Sequence, residues 1–180
     1  AVDEVSNIDV ATVLRSALRV AATELRHRAR VVERIEAVPP VRGSAARLGQ
    51  VLLNLLVNAA QAIPPGAVEQ NQVTVATGTG EDGAVLITIT DSGCGVPEEL
   101  RSRIFDPFFT TKPPGQGTGL GLAICLKIVR ELGGAIELES RLGAGTTFRV
   151  RLPVATEAPP PPSTAPQASS RSGEDRKSVV

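Results

Sequence analysis

The sequence lacks methionine, tryptophan and tyrosine, and its 19 basic and 19 acidic residues leave the 180-residue chain without net charge. Because methionine is missing even at position 1, we expect the chain to be a piece of a longer protein. With balanced charge, the chain lacks the excess of basic residues that typifies nucleic-acid-binding proteins, so no nucleic-acid partner is predicted. The two cysteines, Cys94 and Cys125, are too few and too widely spaced for a disulfide scaffold or a zinc cluster.

Long hydrophobic runs are also missing. No apolar stretch approaches the about 18 residues of a membrane span, and no signal peptide with a charged start and apolar centre is present. We therefore predict a soluble, cytoplasmic piece that makes no membrane contact itself, whether or not its parent protein is anchored in a membrane. With 42% apolar residues, a chain of this length can bury a core without help from a metal or a disulfide.

The composition changes sharply after Pro153. From Ala158 onward the chain is rich in proline and serine and has no periodic apolar positions, so it cannot bury enough surface to offset its ordering entropy. We predict a globular domain over residues 1–155 and a disordered tail over residues 156–180. A proline-rich ligand for another protein is the alternative interpretation of the tail.

The globular part alternates between helical and strand patterns. Asp9 and Ser44 are suited to cap two amphipathic helices, and a third apolar helix is predicted over residues 120–132. Strands are predicted over residues 29–36, 72–79, 84–91, 135–141 and 146–152. This pattern predicts an α+β fold, a two-layer sandwich in which helices pack on one face of a mixed sheet.

The glycine-rich stretches do not match the common nucleotide-binding motifs. A Walker loop ends in Gly-Lys-Ser/Thr, but none of the three lysines follows a glycine, and the sequence elements of protein kinases are missing. Gly78, Gly80 and Gly83 match the spacing of the dinucleotide fingerprint, but they lead into a strand and not a helix. We interpret them as a hairpin turn.

Two other segments carry polar residues suited to a ligand. Asn54 and Asn58 share one face of an otherwise apolar helix, where buried amides need a ligand, a cation or a neighbouring backbone as partner. Asp91 ends a strand and is followed by Gly93 and Gly95. This arrangement fits a carboxylate that accepts from an amino group, and it also fits an ordinary Asp-Ser-Gly turn.

A third segment, residues 115–124, has alternating glycines that lead directly into the third helix. Unpaired N–H groups at the positive end of a helix can form a phosphate cradle without a Walker lysine. A flexible linker is the alternative, but linkers rarely continue without a break into so apolar a helix.

In this order and spacing, the segments resemble the ATP-binding domain of sensor histidine kinases over residues 9–153. The stretches similar to the family's N, G1, F and G2 boxes are residues 47–59, 91–95, 104–109 and 117–123. The resemblance implies the Bergerat-type ATP-binding fold of the gyrase, chaperone, histidine-kinase and mismatch-repair superfamily, with ATP and Mg²⁺ as cofactors.

The resemblance also implies roles for individual residues. Asn58 would bind Mg²⁺, and Asn54 would support the phosphates or a metal-bound water one turn earlier. Asp91 would accept the adenine amino group, and Thr146, which strand parity turns inward, would hold a water between Asp91 and adenine. The other residues implied to bind the nucleotide are Gly93, Gly95, Val96, Lys112, Gly117, Thr118, Gly119, Leu120 and Gly121.

The lid between the F and G2 boxes is short, as in the nitrogen-regulator subgroup. Many relatives place a lysine three residues after the Mg²⁺ asparagine, where this chain has Gln61. Lys112, the one lysine of the lid, is therefore implied to supply positive charge to the terminal phosphates. The three phenylalanines of the F box are implied to staple the lid, with ordinary core packing as the alternative.

His27 is the only histidine, and its arginine neighbours do not match the family's phosphoacceptor pattern. The resemblance therefore implies a catalytic half that does not phosphorylate itself. The full protein would transfer the γ-phosphoryl group to a histidine on a dimerisation domain and then to the receiver domain of a response regulator, with Asn54 and Lys112 as catalytic residues. The alternatives are a non-catalytic nucleotide-binding module and a gyrase- or chaperone-type ATPase, which carries a glutamate base where Asn54 stands.

Overall fold

The computed structural model of the chain describes residues 4–115 and 117–156. Within these ranges, seven strands and three α-helices follow one another with two short 3-10 turns between them. The strands are β1 (Ser6–Ile8), β2 (Arg30–Ile35), β3 (Val41–Gly43), β4 (Gln72–Thr79), β5 (Val85–Asp91), β6 (Ala135–Arg141) and β7 (Gly145–Leu152). The helices are α1 (Val10–Leu25), α2 (Ala45–Gln61) and α3 (Gly121–Glu131).

Five of the strands form a mixed sheet in the order β2-β4-β5-β7-β6. β2 and β4 are parallel, and the other neighbouring pairs are antiparallel. Buried and half-buried residues alternate along β5, because successive side chains point to opposite faces of the sheet and the helices cover one of them. β1 and β3 pair with each other in a separate two-stranded ribbon.

The helices pack together over the covered face of the sheet. α1 and α2 begin after Asp9 and Ser44, whose side-chain oxygens accept hydrogen bonds from the N–H groups of Ala11 and Arg47. α2 is the central helix and contacts α1, α3 and β5. Its apolar face is buried, and four of its five leucines recur there at helical spacing, namely Leu48, Leu52, Leu55 and Leu56. The predicted two-layer α+β sandwich is confirmed.

The predicted helices and strands lie within about a residue of the observed bounds, but the ribbon was missed. β1 and β3 are three residues long, which is too short to show a period in the sequence. Gly80 and Gly83 lie in the expected hairpin turn of the β4–β5 connection, whereas Gly78 lies within β4 and pairs with Leu86. The Gly80 N–H donates to the Ala84 carbonyl at 2.8 Å, and Gly83 has a φ of +81°.

The end of the described chain is fixed to the ribbon. Val154 bridges to Val41, and the Ala155 N–H donates to the Pro40 carbonyl at 2.8 Å. From residue 157 the predicted tail lies outside the described residues, so the domain boundary at residue 155 stays a prediction. No helix within the described ranges has the length and apolar character needed to span a membrane.

Candidate functional site

Asp91, the last residue of β5, is almost completely buried, with 5% of its surface exposed. Its Oδ1 accepts a hydrogen bond from the Gly93 N–H at 2.8 Å. Burial raises the pKa of Asp91 to about 6, because the charged form loses its water, and backbone hydrogen bonds from Gly93 and Thr146 oppose the shift. A carboxylate can accept about four hydrogen bonds, so Asp91 keeps capacity for a donor group on a ligand.

The loop after Asp91 is held on two sides by backbone hydrogen bonds. The Cys94 N–H donates to the carbonyl of Ala62, at the end of α2, with a distance of 3.1 Å. The Cys94 carbonyl accepts from the Gly143 N–H, in the β6–β7 turn, at 2.7 Å. The loop is therefore fixed between α2 and the β6–β7 hairpin, and its position relative to both is set by main-chain atoms.

Gly93 and Gly95 are the residues that allow this close approach. A Cβ on Gly93 would lie 2.5 Å from the Ala62 oxygen, and a Cβ on Gly95 would overlap the Arg141 carbonyl oxygen. Gly95 also has a φ of +71°, which favours glycine. The two glycines predicted to admit the base thus have a structural reason of their own, which the sequence did not reveal.

Thr146 lies beside Asp91 because β5 and β7 pair these two residues. Its side chain is buried, as strand parity predicts. The Thr146 Oγ1 lies 2.8 Å from the Oγ of Ser140, which also accepts from the Val96 N–H at 2.8 Å and donates to the Gly145 carbonyl at 3.0 Å. Sequence analysis missed Ser140, although the hairpin register, which pairs it with Thr146, could have indicated it.

Asn58 meets the lid. The Lys112 Nζ lies 3.4 Å from the Asn58 Oδ1 and also bonds the Oε1 of Gln61. This position withdraws the ammonium group from water, and the desolvation lowers the pKa of Lys112. The structure therefore brings together Lys112, Asn58 and the glutamine that stands where many relatives have their lysine.

Asn54, one turn earlier on α2, faces the first turns of α3. A Cβ on Gly121 would lie 4.0 Å from the Asn54 Cγ, which is ordinary contact. Burial raises the pKa of the Cys125 thiol to about 11, and a hydrogen bond from Asn54 opposes that shift. Asn54 thus bonds a neighbouring element, as the alternative interpretation of its amide allows, and also lies next to the start of α3.

The glycine-rich segment leads into an open helix end. Among the described residues, no side chain caps the N terminus of α3, so its first N–H groups remain available. The Leu120 N–H bonds the Oγ1 of Thr118 at 3.3 Å. A Cβ on Gly117 would lie 2.8 Å from the Thr110 Oγ1 and 3.1 Å from the Lys112 Cδ, so this glycine lies directly against the lid lysine.

The phenylalanines of the F box do not act as one cluster. Phe105 packs edge-on against the core residue Phe148, with ring centroids 6.4 Å apart. Phe109 lies under the guanidinium of Arg103 at 4.6 Å. Phe108 has a φ of +66° and is 75% exposed, and its N–H donates to the carbonyl of Gly119 at 2.9 Å. Core packing therefore explains Phe105, whereas Phe108 is the exposed member.

The donor set suits a cation that arrives with phosphate groups. No group of three or more His, Cys, Asp or Glu residues within 4–115 and 117–156 is placed to hold a metal ion. Mg²⁺ typically takes one or two protein ligands and completes its shell with phosphate oxygens and water. The amide oxygens of Asn58 and Gln61, which contact the Lys112 Nζ, are neutral oxygen ligands of the kind that Mg²⁺ binds. The residues present therefore fit Mg²⁺ bound together with a nucleotide.

A groove of about 270 Å³ borders Asp91 and Thr146, with Ser140 and Gly145 also in its wall. A larger cavity of about 550 Å³ lies between the β4–β5 turn and the end of α3, and none of the predicted site residues lines it. Asp91 and Thr146 thus lie at the opposite end of β5 from the larger cavity.

Comparison with known proteins agrees with this geometry. Residues 43–156 match the family model described as histidine kinase-, DNA gyrase B- and HSP90-like ATPase. The chain is 39% identical over 162 residues to the sensory histidine kinase/phosphatase NtrB of Azospirillum brasilense, a match that covers 84% of this chain and 40% of that protein. The chain therefore spans less than half the length of this curated relative.

Solved structures of histidine kinases share the fold. The mycobacterial sensor histidine kinase MprB gives a TM-score of 0.72 at 30% identity, covering 84% of this chain and 97% of that one. Full-length ShkA in complex with AMPPNP gives a TM-score of 0.72 at 28% identity, covering 87% of this chain and 32% of that one. The chain belongs to the family of histidine kinase-, DNA gyrase B- and HSP90-like ATPases, in which it is an ATP-binding domain of the sensor histidine kinase type.

Proposed function

We propose that the domain binds Mg-ATP between α2, the loop after β5 and the lid. The observation that carries the proposal is the contact of Lys112 with Asn58. This contact lies one helical turn before Ala62, whose N–H donates to the Asn58 carbonyl. The carbonyl of Ala62 in turn accepts from the Cys94 N–H in the loop after Asp91. Groups suited to the two ends of a nucleotide are thus joined through a single turn of α2.

At the adenine end, the proposed selective group is Asp91. Its carboxylate would accept from the exocyclic amine, and charge-assisted hydrogen bonds of this kind are the strong ones. Thr146, paired with Asp91 across the sheet, would hold the water between that carboxylate and the base. Gly93, Gly95 and Val96 would form the backbone wall against which the base lies.

At the phosphate end, Gly117, Thr118, Gly119, Leu120 and Gly121 would present backbone N–H groups to the phosphates. Lys112 would leave the amide oxygens and pair with the terminal phosphates, and Asn54 would support them from α2. Mg²⁺, held by Asn58, would supply positive charge to the phosphate oxygens when bound. Catalysis by these residues is positioning and neutralisation of charge.

The longer protein would use this site for phosphoryl transfer. The γ-phosphoryl group would pass to a histidine on a dimerisation domain and then to a response regulator in the cytoplasm. Asn54 favours this reaction over hydrolysis, because an amide cannot take the proton of an attacking water as a carboxylate base can. An acceptor imidazole is itself the nucleophile and needs no such base.

The domain should label an acceptor histidine and not itself. We expect label from Mg-ATP to appear on a purified dimerisation hairpin, with Asn58→Ala and a hairpin lacking its histidine as controls. His27 is exposed, and its Nε2 accepts a hydrogen bond from Arg26. Alkaline gel electrophoresis, which preserves phosphohistidine, is the measurement. Strong labelling of the chain alone that disappears in His27→Ala would overturn the proposal.

Asn58→Ala should remove the contribution of Mg²⁺ to nucleotide binding. Removing even an outer-shell partner of a metal typically costs about 10- to 100-fold in metal affinity, and a direct ligand should cost at least as much. Calorimetric titration with ATP, with and without Mg²⁺, measures this increment. The matched control is Gln50→Ala, which removes an exposed amide from the same helix. An unchanged Mg²⁺ increment in Asn58→Ala would exclude Asn58 as the ligand.

A further inference from the structure

We propose that Ser140 is a positioning residue that makes the domain select 6-amino over 6-oxo purines, by fixing the hydroxyl group of Thr146 as a hydrogen-bond acceptor. The proposal deepens the proposed ATP binding and rests on it. Ser140 lies on β6, outside the four boxes, and bonds three separate pieces of the site: Val96 of the loop after β5, Gly145 of the turn and Thr146 of β7.

The direction of these hydrogen bonds follows from counting hydrogens. A serine hydroxyl has one hydrogen to donate and two lone pairs to accept with. The Ser140 Oγ donates its hydrogen to the Gly145 carbonyl at 3.0 Å and accepts from the Val96 N–H at 2.8 Å. The third contact, 2.8 Å to the Thr146 Oγ1, must therefore use the hydrogen of Thr146. The only O–H of Thr146 is committed inside the protein.

Thr146 consequently offers only lone pairs to a ligand. Asp91, its cross-strand partner, is an acceptor as well when it is ionised. Two neighbouring acceptors suit the amino group of adenine together with a water that donates to Thr146. A 6-oxo purine places a carbonyl oxygen at the same position, where no donor meets it. The arrangement therefore lowers the affinity for 6-oxo purines as well as raising the affinity for adenine.

A purely structural role for Ser140 makes a different prediction. If the serine only joined the loop, the turn and β7, its loss would lower the affinity for all nucleotides by a common factor. If it sets the orientation of the Thr146 hydroxyl, its loss frees that hydroxyl to rotate and donate to a 6-oxo group. The ratio of affinities for two nucleotides that differ at the 6-position separates these roles.

The test is titration of the whole chain at pH 7.5 with Mg-ATP and with Mg-ITP, whose base carries a 6-oxo group and no 2-amino group. Ser140→Ala should reduce the ATP-to-ITP affinity ratio about three- to tenfold, the range that one neutral hydrogen bond represents. Ser140→Thr, which keeps a hydroxyl, should retain the wild-type ratio. Should Ser140→Ala not fold, Ser140→Cys carries the same test, because a thiol is a weak hydrogen-bond partner.

Ser92→Ala is the matched control. The Ser92 Oγ also accepts from a backbone N–H, that of Gln72 at 2.9 Å, and donates to the Asn71 Oδ1 at 3.0 Å. It lies in the loop after Asp91 but has no contact with Thr146 among the hydrogen bonds of the described residues, so the ratio should not change. Equal losses for ATP and ITP in Ser140→Ala, or no loss, would overturn the role of Ser140. Failure of the wild-type chain to bind either nucleotide would instead overturn the proposed function.

Discussion

Asp91→Ala is expected to weaken ATP binding about a hundredfold. Truncating one partner of a buried charge-assisted hydrogen bond typically costs about 2–3 kcal/mol, and every 1.4 kcal/mol is roughly a factor of ten. Residual GTP binding should change little, because guanine has a carbonyl oxygen where adenine has the amine. Calorimetric titration with both nucleotides measures the two effects.

The matched control for Asp91 lies at the other end of the same strand. Asp82, in the β4–β5 turn, pairs with Arg151, so Asp82→Ala also truncates a paired carboxylate but at a distance from the site. It should leave the affinity for ATP as it is. If Asp91→Ala keeps the full preference for ATP, Asp91 is only a turn residue, and the adenine pocket lies elsewhere.

The carboxyl group of Asp91 also sets how the affinity for ATP and the stability of the domain depend on pH. Because burial raises the pKa of Asp91 to about 6, wild-type affinity for ATP should fall as the pH is lowered through that value. The folded protein holds this proton more tightly than the unfolded chain, so the stability that the neutral carboxyl contributes is lost as the pH rises from about 4 through 6. At pH 7.5, Asp91→Asn should therefore raise the melting temperature of the nucleotide-free domain while it weakens ATP binding.

Gly145→Ala is expected to destabilise the domain by at least about 3 kcal/mol. Gly145 has a φ of +91°, and a Cβ there would overlap the carbonyl oxygen of Asp91. A side chain in the left-handed region costs about 1–2 kcal/mol, and the overlap with fixed backbone adds to it. For a chain of this size, each 1 kcal/mol lowers the melting temperature by about 2–4 °C. Thermal unfolding followed by circular dichroism measures the loss.

Gly143→Ala separates the two contributions. Gly143 lies in the same turn with a φ of +77°, but a Cβ there would have no neighbour within 4 Å. Only the cost of the backbone conformation should destabilise this variant, so its melting temperature should fall by a few degrees. If the melting temperature falls equally in the two variants, the turn moves to relieve the overlap, and its contact with the end of β5 is not tight.

The sequence predicted the elements better than it predicted the contacts between them. Helix spacing, capping residues and strand parity placed α2, β5 and the buried side of Thr146, because each of these depends on neighbours within about one turn or one strand. β1 and β3 could not be predicted, since each is three residues long and their pairing joins residues separated by the whole of α1 and β2.

Within the site, the residue types followed from the family resemblance, but their partners did not. The contact of Lys112 with Asn58 joins residues 54 positions apart and depends on how the lid lies over α2. Ser140 carries no motif, and its three hydrogen bonds exist only once the hairpin register is set. Gly93 and Gly95 were assigned to a ligand, whereas the protein's own backbone already requires them.

The ribbon of β1 and β3 holds both ends of the described chain. The two ends of the described domain meet there, since β1 pairs with β3, Val154 bridges to Val41 of β3, and Ala155 bonds Pro40 just before it. Leu132, just after α3, packs against Gly43 of the same ribbon, whereas Gly117, four residues before α3, lies against Lys112 of the lid. An 11-residue helix spans about 16 Å, so α3 separates the ribbon from the glycine-rich segment by about that distance. Both described ends of the domain therefore lie next to the C-terminal end of α3, whereas the proposed phosphate-binding residues lie at the other end of that helix.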